Sequence, residues 1–103
     1  MPLFLSDDRY AEYLNRLEQR YGHKFRDLSK PQMANALMPM VQAIADVDDN
    51  GTAVETAWST AQNDWGCMLP DGLNCKGFDG VELLQLLRLL VQHFSNEIHG
   101  LVP

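Results

Sequence analysis

The chain has 103 residues, a hydrophobic fraction of 46%, a charged fraction of 21% and a formal charge of −6. That length supports one domain with one core, and the composition excludes collagen-like and disordered classes. The negative charge removes the non-specific attraction to phosphate on which nucleic-acid binding rests, and it opposes docking on anionic membranes.

Helical periodicity predicts four helices within a single domain spanning residues 1–103, and no stretch alternates as a strand would. The first helix is expected from about Asp7 to Tyr21. Ser6 serves as its N-cap, Leu5 staples onto Tyr10, and Asp7 and Asp8 sit at the positive end of the dipole. Tyr10, Tyr13, Leu14, Leu17 and Tyr21 recur at helical spacing on one apolar face, and Gly22 ends the run.

The second helix is expected to begin near Pro31, with Met33, Leu37, Met40, Val41 and Ile44 on one side. Pro39 lacks an N–H and crowds the preceding turn, so it should kink this helix or divide it. Thr52-Ala53-Val54-Glu55 has capping-box spacing for the third helix. Val54, Ala57, Trp58, Ala61 and Trp65 then form its face, and Gly66 closes it.

Residues 66–79 read as a long connection rich in Gly, Pro, Asn and Asp, packed down by Leu69, Leu73 and Phe78. Asp79-Gly80-Val81-Glu82 has capping-box spacing for the last helix, which Gly100 stops. That helix is apolar nearly all round, with Gln85, Arg88, Gln92, Ser95 and His99 as a narrow polar seam. It must therefore be central in an all-α four-helix bundle, and it is also a candidate surface for self-association.

Charge is segregated along the chain. Residues 46–82 carry eight acids (Asp46, Asp48, Asp49, Glu55, Asp64, Asp71, Asp79, Glu82) against Lys76 alone, whereas residues 1–30 are nearly balanced. Part of this acidity has a structural use at helix starts, and the rest creates a field that attracts basic partners.

Few groups are placed for chemistry. His23, His93 and His99 are the available near-neutral bases, and no sequence neighbour orients them. Cys67, Cys75, His93 and His99 lack zinc-site spacing, so neither metal nor cofactor is expected there. Asp46, Asp48 and Asn50, followed by Gly51, match the first half of a calcium loop, but position 12 is Ala57 rather than a bidentate acid.

The N-terminal residues show no basic n-region or apolar h-region of a secretion signal, which points to a cytoplasmic protein whose cysteines remain thiols. The leading expectation is a small non-enzymatic binding protein of inhibitor, immunity or adaptor type. It presents Asp48, Asp49, Asp64, Trp65 and Asp71 to a basic surface of another protein, without contacting nucleic acid or membrane. A calcium-binding, EF-hand-like module using Asp46, Asp48 and Asn50 is the second reading. A structural homodimer through the last helix is the third.

Overall fold

A computed structural model describes residues 7–65, 75 and 77–100. Ser6, Leu5, Gly66, Cys67 and Asp71 lie outside the described residues. Four α-helices follow in order: α1 Asp7–Tyr21, α2 Lys30–Asn50, α3 Val54–Trp65 and α4 Gly80–Gly100, with a short 3-10 turn at His23–Phe25. No strand occurs among the described residues, and the architecture is an all-α four-helix bundle.

α1 has the expected bounds because its apolar face repeats without interruption until Gly22, whose φ of 86° leaves the helical region. α2 starts one residue before Pro31. The Ser29 hydroxyl accepts from the Gln32 N–H, and the Gln32 side chain accepts from the Ser29 N–H, so both donors at the helix entrance are satisfied. Pro39 does not divide α2, which runs unbroken to Asn50 with the proline ring buried. Gly51, in the left-handed region at φ 66°, ends it by donating its N–H to the Asp46 and Val47 carbonyls.

α3 begins at Val54, one residue later than the Thr52 cap implied, and the Ala53 carbonyl accepts from the Ala57 N–H. Glu55 turns instead toward α4. A Cβ placed on Gly80 would lie 2.8 Å from Glu55 Oε1, so the glutamate carboxylate lies against the first residue of α4. At α4 the expected cap forms in part. Asp79 Oδ1 accepts from the Glu82 N–H at 2.9 Å, while the Glu82 carboxylate pairs with Arg9 Nη1 of α1 at 2.8 Å.

α4 is central, as its composition requires. Leu83, Leu86, Leu87, Leu90 and Phe94 are buried against Met33, Ala36, Met40 and Ala43 of α2 and Ala57, Trp58 and Ala61 of α3 in one continuous core. The apolar side chains of the helix expected to self-associate are thus mostly covered within the single chain. Exposed large apolar side chains among the described residues are Val81 at its start and Met38 and Val41 on α2.

α1 closes the bundle with side chains rather than close backbone packing. The Tyr10 hydroxyl donates to the Leu89 carbonyl at 3.4 Å, Tyr13 meets Phe78 edge-on, and Arg9 lies over the Phe78 ring at 4.6 Å.

Candidate functional site

The acids of the central segment gather where three helix ends meet. α2 ends at Asn50, a three-residue link leads to α3, and Glu55 in the first turn of α3 touches the first residue of α4. Asp48 and Asp49 of α2, Glu55 of α3 and Asp79 before α4 therefore occupy one end of the bundle, and all four are exposed.

Two arginines reach into this end. Arg88 Nη2 donates to both carboxylate oxygens of Asp48 at 2.7 Å, with each side chain about half exposed. Arg9 takes Glu82, whose side chain is the more buried of that pair. Exposed pairs of this kind contribute only about 0–1 kcal/mol, so the arginines orient Asp48 and Glu82 without fixing the fold. Asp49, Glu55 and Asp79 extend the negative surface around them.

Asp64 and Trp65, expected in the same patch, stand apart. The Gln42 side chain of α2 links them: its Nε2 donates to Asp64 Oδ2 and its Oε1 accepts from Trp65 Nε1, both at 2.8 Å. Gln42 precedes Asp49 by seven residues, about 10 Å along the helix axis. The indole N–H is engaged in fastening α3 to α2, and Trp65 is half-buried. Of the five expected contact residues, Asp48 and Asp49 come together, Asp64 and Trp65 form a second node, and Asp71 lies outside the described residues.

The residues of the calcium half-loop lie within a helix. Asp46, Asp48 and Asn50 belong to the last turns of α2, where residues two apart point to different sides. Asp46 Oδ1 accepts from Asn50 Nδ2 at 3.3 Å, whereas Asp48 faces Arg88. Their oxygens do not converge, and no three His, Cys, Asp or Glu side chains among the described residues are grouped to hold a metal ion.

The titratable groups with displaced equilibria lie elsewhere, in the seam between α1 and the residues preceding α4. Burial pushes the Cys75 thiol up to about 12, opposed by its contact with the Tyr13 hydroxyl at 3.7 Å, and burial also raises Tyr13. Both shifts favour the protonated, unreactive forms. His93 is packed edge-on against Phe25 and Phe94, and its Nε2 is buried without a hydrogen-bond partner.

Sequence reasoning missed Gln42, Glu55 and the two arginines as parts of these sites. The Glu55 and Glu82 spacings read as local caps, while the Gln42 and Arg88 contacts join residues 22 to 40 positions apart, for which the sequence carries no periodic signal. Comparison with protein-family models, with curated proteins and with solved structures returned no match. No helix among the described residues is long and apolar enough to cross a membrane.

Proposed function

We propose that this chain is a small non-enzymatic protein-binding module, of the inhibitor, immunity or adaptor kind, which sets its acidic end against a basic surface of another protein. The observation that carries this reading is the clustering of exposed Asp48, Asp49, Glu55 and Asp79 at the junction of three helices. Negative charge at a helix C-terminus opposes the macrodipole, so Asp48 and Asp49 do not serve the stability of α2. Charge concentrated in this way accelerates encounter with a basic partner and repels acidic ones. We place the module in the cytoplasm, on the lack of a secretion-signal pattern in its N-terminal residues.

The test compares tagged wild-type protein with Asp49→Lys and with Asp48→Lys plus Asp49→Lys in capture from native cells at low and high salt. The expected result is a stoichiometric basic partner held by the wild type, released by salt and not held by the double variant. Thermal unfolding of the variants separates lost binding from lost fold, because a lysine at position 49 suits the helix end better than the acid. A partner whose affinity is indifferent to both salt and charge reversal refutes the reading.

A further inference from the structure

The least explained surface of the molecule is the outer face of α2. Met38 is 48% exposed and Val41 49% exposed, and Ala34 and Ala45 are exposed on the same face. Positions 34, 38, 41 and 45 are separated by four, three and four residues, the spacing of a coiled-coil seam rather than of scattered surface residues. Half-buried Leu37 and Ile44 flank the seam on one side.

The charge of α2 identifies what this face fits. An antiparallel second copy centred on the seam would set Met38 against Val41 and Ala34 against Ala45, each twice. The first turn of α2 carries Lys30 and no acid, and its last turn carries Asp48 and Asp49 and no base. Each helix is thus charged against its own dipole, and reversing one copy brings the basic, dipole-positive end of one beside the acidic, dipole-negative end of the other.

We propose that the outer face of α2 is a self-association surface, on which a second copy of this chain docks with its α2 antiparallel. Met38 then packs against the partner subunit's Val41, Ala34 against the partner subunit's Ala45, and Lys30 approaches the partner subunit's Asp48. Seam spacing of this kind favours a crossing near 20°, which at about 14 Å from the centre separates the axes sideways by only ~5 Å, within the reach of a lysine. Packing of one helix face forms a small interface, so the dimer should dissociate in about the micromolar range.

Sedimentation of the full chain from about 1 to 500 µM is the test, a range spanning the affinity expected of so small an interface. The expected result is a monomer–dimer equilibrium that Met38→Lys and Val41→Lys each weaken at least about tenfold, as central interface positions do. The milder pair Met38→Ala and Val41→Ala should weaken it in the same direction, and circular dichroism melts check that each variant remains folded. Lys30→Glu should weaken association several-fold. A monomer throughout the range overturns the proposal, as does a dimer insensitive to Met38 and Val41. Association indifferent to Lys30→Glu overturns the antiparallel arrangement.

Discussion

Phe25 offers a test in which backbone and side chain pull in opposite directions. Its φ of 58° is left-handed, a region that costs a residue with a Cβ about 1–2 kcal/mol. The ring is fully buried, edge-on to His93 at 5.2 Å and to Phe94 at 5.3 Å, and it fastens the end of α1 onto α4. Phe25→Ala removes the ring and leaves a cavity, at a cost of about 3–5 kcal/mol, but keeps the strained backbone. Phe25→Gly leaves a similar cavity and relieves the backbone strain, while losing about 0.5–1 kcal/mol to the extra freedom of glycine in the unfolded chain. The glycine variant should therefore be the more stable of the two by about 0.5–1 kcal/mol, the reverse of the usual order. Urea unfolding followed by the fluorescence of buried Trp58 and by far-ultraviolet circular dichroism measures this difference. With a slope of about 1.5 kcal/mol per molar, the alanine variant should lose about 2–3 M of midpoint and the glycine variant about 0.5 M less. An alanine variant equal to or more stable than the glycine variant refutes the argument that position 25 stores backbone strain.

Three further outcomes follow from buried groups and caps. His93→Phe should keep the edge-on contacts and remove the unpartnered Nε2, raising stability by about 1 kcal/mol and the melting temperature by several degrees; a drop would show that Nε2 is satisfied in solution. Asp79→Ala removes the carboxylate that accepts the Glu82 N–H and should cost about 1 kcal/mol in urea unfolding, with Asp79→Asn retaining most of it. For Cys75 the folded thiol holds its proton to about 12 against an ordinary 9.0, so between those values the unfolded chain releases a proton that the folded one keeps. Stability should then fall as pH rises above 9, and Cys75→Ala should flatten that decline; an unchanged slope refutes the burial argument.

The elements that local pattern controls were legible in the sequence. α1 follows from five apolar residues at helical spacing closed by Gly22, and α4 from Asp79 followed by a run too apolar to sit anywhere but the centre. The end of α2 was not legible, because Asp46 to Gly51 has the composition of a turn. The helix nevertheless tolerates those acids: Asp48 finds Arg88, Asp46 finds Asn50, and only Gly51 adopts a terminating conformation. Glu55 and Glu82 occupy the positions a capping box requires, yet the Glu55 carboxylate lies against Gly80 and Glu82 pairs with Arg9. The separation of Trp65 from Asp49 was hidden for a related reason. Its position is set by Gln42, a residue whose sequence context marks it only as polar. Phe25 gave no sign of its left-handed backbone, since phenylalanine is not among the residues that favour that region.

The two proposals place different demands on the same helix, and they are compatible. Pairing through Met38 and Val41 uses the middle of α2 and brings Lys30 toward the partner subunit's Asp48, whereas Glu55 and Asp79 lie on α3 and before α4, off that seam. An antiparallel pair would thus leave two acidic ends at opposite ends of a helix 21 residues long, about 30 Å apart. Such a pair would be bivalent toward a basic surface that spans this distance. The second contact would then form at an effective concentration far above that of the free module, and affinity would exceed that of one end by orders of magnitude without any new contact. A module with only modest charge attraction at each end would in this way bind tightly as a dimer and weakly as a monomer. Charges that oppose the dipole of α2 within one chain are those that, on both proposals, would favour pairing and partner capture.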